Sequence, residues 1–131
     1  MKHEYDRRYS GYYASAYGKK FVKIAEFLTD NGFTVKPNSR VSSHGLYTTV
    51  DMLAVQNRRD SILSRRKKIA VVFRNGYLSS DSLLGLYFAK AARKYAVGDG
   101  WFNDLEKSAE EEDITLLSTA DLNEKTLEDM L

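Results

Sequence analysis

In the run TTVDMLAV (residues 48–55) one carboxylate, Asp51, interrupts a series of strand-forming and apolar side chains. An ionised acid taken from water into such surroundings is costly unless a cation or hydrogen-bond donors meet it. Asp51 therefore stands either at the exposed end of a strand or in a site, where it would act as a ligand or proton acceptor. A second group follows directly. The connection 57–68 carries Arg58, Arg59, Arg65, Arg66, Lys67 and Lys68, dense enough to hold phosphates, and each phosphate contact would steepen the salt dependence of binding. The alternative is a solvated hairpin loop. Ser61, Ile62 and Leu63 inside it form either a wedge or the packing contact of the loop tip. His44, beside Gly45, could shuttle a proton. With two histidines and no cysteine in the chain, disulfides, thiolate zinc sites and cysteine nucleophiles are excluded. Ser79 and Ser80 read as a helix cap rather than as a nucleophile, because nothing marks a base beside them. No glycine-rich phosphate loop, nucleotide fingerprint or G-x-S-x-G elbow occurs.

The elements that must position these groups follow from periodicity. Tyr5, Tyr9, Tyr12, Tyr13 and Tyr17 recur at helical spacing, which predicts an aromatic helix face that either packs or stacks on bases. Phe21, Ile24, Ala25 and Leu28 mark an amphipathic helix stopped by Asn31-Gly32. FTVKP reads as a short strand, NSRVSSHGLY as a loop or irregular hairpin, and TTVDMLAV as the next strand. KIAVVF is a third strand, apolar throughout and so buried on both faces. After the Asn75-Gly76 turn, Ser80 or Asp81 caps a helix carrying Leu83, Leu84, Tyr87, Phe88 and Ala91 inward. AVGDG is a brief extended piece or turn, WFNDLEKSAEEE a helix, ITLLS a strand, and the last residues a short helix capped near Thr119 or Asp121. The order predicts an α/β fold with a mixed central sheet of about four strands flanked by helices.

The chain of 131 residues, 43% hydrophobic and 29% charged, suits one soluble globular domain over 1–131. Within it, 1–17 forms a Tyr-rich helix or arm, 18–118 the α/β core, and 119–131 an acidic helix or tail. No apolar run approaches the ~20 residues that span a bilayer, and no signal peptide opens the chain, so no membrane partner and a cytoplasmic location are expected. The net charge of +2 hides a division. Residues 101–131 hold ten acids and two bases, leaving +10 on the first hundred residues. A basic body points to a polyanionic partner; the acidic segment either competes with it or is a solvated face.

A glycine ahead of an amphipathic helix (GKKFVKIAEFLTDNGFTV), a Ser-rich loop (SRVSSHG) and the strand VDMLAV resemble the restriction-endonuclease-like nucleases of the PD-(D/E)xK superfamily. They are most like its archaeal-type Holliday junction resolvases. ITLLS and the following ADL resemble the closing elements of Mrr-type domains. The resemblance implies metal-assisted phosphodiester hydrolysis: a strand Asp and a Glu on the next strand hold Mg²⁺ or Mn²⁺, and a Lys two residues on orients the attacking water. Asp51 matches the strand Asp. Where Glu-x-Lys should follow, the chain has Val72-Phe73-Arg74, and the helix acid expected four residues after Gly18 is Val22. Glu26, one turn later, is the available substitute. Valine cannot ligate a cation; arginine cannot take over the lysine's proton chemistry but can hold a phosphate.

Three functions are consistent with these residues. The first is a nucleic-acid-binding protein, on DNA more than RNA, with a degenerate or rebuilt metal site around Asp51, Glu26 and Arg74. In it Arg58, Arg59, Arg65, Arg66, Lys67, Lys68 and Arg74 face the phosphates. The second is an active Mg²⁺- or Mn²⁺-dependent endonuclease with migrated catalytic residues, among them Lys68. The third is a protein-binding inhibitor or regulatory module of a virus or mobile element. A homodimer would set two basic loops on one duplex.

Overall fold

The computed structural model describes residues 16–131. The Tyr5–Tyr13 stripe therefore lies outside the described residues. The first helix, α1 (Ala16–Asp30), leads through Gly32, at φ 89°, into a hairpin of β1 (Phe33–Ser43) and β2 (Leu46–Gln56). After the basic connection come β3 (Lys68–Phe73) and β4 (Tyr77–Leu78), then a 3-10 turn (Ser80–Leu83) running into α2 (Leu84–Phe88). β5 (Arg93–Gly98), β6 (Gly100–Trp101), α3 (Asn103–Glu111), β7 (Ile114–Ser118), a 3-10 turn (Thr119–Asp121) and α4 (Glu124–Asp129) complete the order.

The main sheet has five strands in the order β1-β2-β3-β5-β7, and β4 pairs with β6 apart from it. β1, β2 and β3 are antiparallel neighbours, whereas β3, β5 and β7 are parallel. The sheet is therefore mixed, with helices on both faces. On one face α1 and α4 enclose Phe21, Leu28, Ile69, Val71, Phe73, Val97, Leu127 and Met130; on the other, α2 and α3 cover Ala70, Val72, Ala96, Leu83, Leu86 and Leu105. Alternate residues of β3 belong to opposite clusters, which is why KIAVVF carries no polar residue after Lys68.

Four differences from the sequence expectation have identifiable causes. NSRVSS is strand, because β1 pairs with β2 as far as Ser43 and the reversal takes only His44 and Gly45. Both turn residues have positive φ, 52° and 80°, as a two-residue hairpin matching the strand twist requires. The helix expected to reach Ala91 ends at Phe88, with Leu84 half-exposed at 47% rather than inward. Ser79, one of the two serines read as a cap, caps the 3-10 turn that leads into it and shares reciprocal bonds with Ser82. The brief extended piece expected at AVGDG is the end of a longer strand, β5, which begins at Arg93 because it pairs with β3 on one side and β7 on the other. The last helix is capped by Asn123 with Thr126, because Ser118 already caps a separate 3-10 turn over Thr119–Asp121.

The β1–β2 hairpin turns over along its length. Phe33, Val35, Met52 and Ala54 lie in the cluster under α1, yet Val41 and Val50, of the same parity along their strands, lie in the opposite cluster. The change falls between the pairs Pro37–Met52 and Ser39–Val50, where Asn38 adopts φ 48°. Asparagine tolerates this left-handed conformation better than most residues. The turned-over half then rests on α2, whose Gly85 approaches so closely that a Cβ there would lie 2.4 Å from the Thr49 carbonyl oxygen. Gly85→Ala is expected to lower stability by about 1–2 kcal/mol through this overlap, measured as the shift of the urea midpoint.

Candidate nucleic-acid interface

Asp51 lies at the turnover. β2 and β3 pair from Val55–Lys68 to Met52–Val71; beyond that the regular pairing stops. The Asp51 carboxylate takes the place of the missing strand. Its Oδ2 accepts from Phe73 N–H at 2.7 Å and from Arg74 Nη1 at 2.7 Å. Arg74 Nη1 also donates to the Phe73 carbonyl at 3.1 Å, and the Arg74 N–H is bonded to Val97 on the other side of β3. The ion pair is open to water, Arg74 being 43% and Asp51 31% exposed. Solvent screening limits such a pair to about 1 kcal/mol or less. Arg74→Met should accordingly move the urea midpoint only slightly, since Asp51 keeps its bond to Phe73 N–H.

The expected site residues fall at two ends of the sheet. Asp51 and Arg74 meet at the end where β3, β5 and β7 finish. There Thr119 donates its hydroxyl to Asp99 at 2.7 Å and Lys20 Nζ donates to the Thr119 carbonyl at 2.9 Å. Glu26 is in α1, partly exposed. Phe21, whose ring stands edge-on to Phe73 with centroids 5.8 Å apart, marks the part of α1 nearest Asp51. Glu26 lies five residues, or about 7.5 Å of helix, further toward the opposite end. Val22, at the position where the resemblance implies an acid, is buried in the core. Among the described residues no three His, Asp or Glu converge.

The basic connection leaves the sheet at the other end. Lys68 opens β3, about 16 Å along the strand from Phe73, so Lys68 and Asp51 do not share one centre. The connection is a built loop. Gln56 N–H bonds the Lys67 carbonyl at 2.8 Å, Gln56 Oε1 accepts from Lys67 N–H at 3.1 Å, and Gln56 Nε2 donates to Asp60 at 2.8 Å. Lys67 Nζ donates to the main-chain oxygen of Leu131. Arg58, Arg59, Arg65, Arg66 and Lys68 are exposed, and among the described residues no acid forms an ion pair with any of them.

Beside the loop a groove of about 170 Å³ opens on the α2 face, lined by Arg40, Ser42, Leu53, Lys68, Phe88 and Lys90. Arg40 stacks over the Tyr47 ring, 4.5 Å from its centroid, while the Lys68 and Lys90 ammonium groups have no acidic partner among the described residues. The groove holds no carboxylate. Sequence reading missed Arg40 and Lys90 because it ended the first strand at Pro37 and ran the helix through Lys90. Extending β1 to Ser43 is what folds Arg40 toward Lys68. The acids gather elsewhere: Glu106, Glu110 and Asp113 line a groove with Trp101 along edge strand β7. Trp101 Nε1 donates to Glu106 at 3.0 Å. The Tyr87 hydroxyl is pushed up from the usual phenol range, first by burial and then by the negative charge of Glu112.

No family model matches the sequence, and no curated protein is found to resemble it. Two solved structures are similar in fold. One is a protein of unknown function, AF1548, at 15% identity and TM-score 0.48, over 83% of this chain and 61% of that one. The other is the MspJI restriction endonuclease, solved in complex with a 27-mer oligonucleotide, at 14% identity and TM-score 0.43, over 95% of this chain and 29% of that one. The chain thus spans under two thirds of AF1548 and under one third of MspJI. No helix among the described residues is long and apolar enough to cross a membrane.

Proposed function

We infer that this protein binds nucleic acid, DNA in the first instance, through the basic loop 57–68 and the groove beside it, on a nuclease-like α/β scaffold. The observation that carries the reading is that cations from separate elements line one groove, which adjoins the arginine-rich loop through Lys68. They come from β1 (Arg40), from the start of β3 (Lys68) and from just past the end of α2 (Lys90). Cations brought together without acids repel one another, and a polyanion relieves that repulsion while releasing its own counterions.

Asp51 then serves the scaffold. Its Oδ2 is occupied by Phe73 N–H and the Arg74 guanidinium, so a divalent cation would have to enter beside that positive charge, where among the described residues no three His, Asp or Glu converge to hold it. These donors do not fit Mg²⁺ or Mn²⁺, which need several oxygen ligands. Arg74 retains donors for a phosphate at its own end of the sheet. The test is fluorescence anisotropy with linear duplex, single-stranded and four-way-junction DNA, in EDTA, over a range of salt. Binding with a steep linear dependence of log Kd on log salt and no need for metal is expected. Cutting that appears with Mn²⁺ and vanishes in Asp51→Ala would favour the endonuclease instead, and absence of binding would favour a protein partner.

A further inference from the structure

Ile62 and Leu63 are adjacent and almost wholly in water, 88% and 94% exposed. They lie midway along the basic loop, between Arg58-Arg59 and Arg65-Arg66. The tip has a defined shape: Ser61 N–H donates to Ser64 Oγ at 2.9 Å, Ser64 Oγ donates back to the Ser61 carbonyl at 2.9 Å, and Ser64 N–H donates to the same carbonyl at 3.2 Å. This closed turn leaves the two aliphatic side chains exposed, with little to pack on among the described residues. Exposed apolar groups so placed mark a contact surface.

We propose that Ile62 and Leu63 are a wedge that enters the base stack of a bound nucleic acid while the four flanking arginines hold the phosphates on either side. Apolar side chains inserted at a base step unstack it and bend the duplex, and they enter most easily where stacking is already weak. Charge decides among the possible occupants. A second copy meeting the first tip to tip would bring two four-arginine tips together, and a basic protein surface would be repelled. At the foot of the loop Lys68 leads on to Lys90 and Arg40 along one groove, a track suited to an extended strand more than to the plane of a bilayer. The proposal rests on the nucleic-acid reading above, and its test separates the two.

The experiment uses the full chain and an Ile62→Ser/Leu63→Ser variant; both positions are exposed, so folding is not at stake. Each protein is titrated onto duplexes carrying 2-aminopurine either in a fully paired site or beside a single-base bulge, with anisotropy and 2-aminopurine fluorescence read together. The native chain should raise the fluorescence and prefer the bulged duplex about tenfold, and the variant should lose both effects while keeping the salt slope. Binding by the native chain without a fluorescence rise would overturn the wedge and leave the nucleic-acid reading standing. No salt-sensitive binding would overturn both. Capture of the native chain, but not the variant, by phosphatidylserine vesicles, with no fluorescence change on DNA, would replace the wedge by a membrane-inserting tip.

Discussion

Replacing Asp51 with alanine is expected to cost about 2–3 kcal/mol of stability, measured by urea unfolding. Most of the loss comes from the main chain. Phe73 is buried and its N–H points to the side of β3 from which the hairpin has turned away; without the carboxylate this donor loses its acceptor, and an unsatisfied buried group carries its full desolvation penalty. The ion pair with Arg74 adds little, for the exposure given above. Asp51→Asn, which keeps an oxygen acceptor, should therefore recover more than half of the loss. If Asn were as destabilising as Ala, the ion pair rather than the strand-end bond would be the working contact. DNA affinity in low salt should be nearly unchanged in both variants, because Asp51 is at the other end of the sheet from the loop.

The complementary change, Arg58, Arg59, Arg65 and Arg66 to alanine together, is expected to leave stability within about 0.5 kcal/mol, as exposed substitutions without packing partners usually do. Binding should respond strongly. Four phosphate contacts contribute about 3 to 4 to the slope of log affinity against log salt, and their removal should weaken binding on the order of 100-fold near physiological ionic strength. Anisotropy titrations of both proteins at several salt concentrations check this. A parallel downward shift with unchanged slope would mean that the arginines shape the loop without touching phosphates.

How far the sequence discloses this arrangement differs from element to element. α1, β3 and β7 are legible because their apolar periodicity is unambiguous, and the mixed sheet flanked by helices follows from their order. β5 is legible only in its last residues, the extended piece at AVGDG; its start at Arg93 follows an Ala- and Lys-rich stretch that favours helix, and pairing with β3 and β7 makes it strand. The length of β1 was hidden for a related reason: Asn38, Ser39, Ser42 and Ser43 look like loop residues, yet the pairing continues through them and the faces exchange at Asn38. That exchange is also what answers the question posed by Asp51. A carboxylate in an apolar strand signals a partner, but a main-chain donor two strand positions past the last regular pair has no signature in composition or spacing. The basic loop was visible as a cluster of charges, whereas Arg40 and Lys90 join it only through the fold.

The most direct test of the central claim, that nucleic acid is held at the loop end of the sheet, is to follow backbone amide chemical shifts of the labelled protein during titration with a short duplex. A chain of 15.0 kDa is well within reach of the method. Shifts concentrated in 57–68, at Arg40–Ser42 and at Lys90, with Phe73, Arg74 and Asp99 unmoved, are predicted. Shifts centred on Phe73, Arg74 and Asp99 with a silent loop would contradict the account and return Asp51 to the role of a site residue.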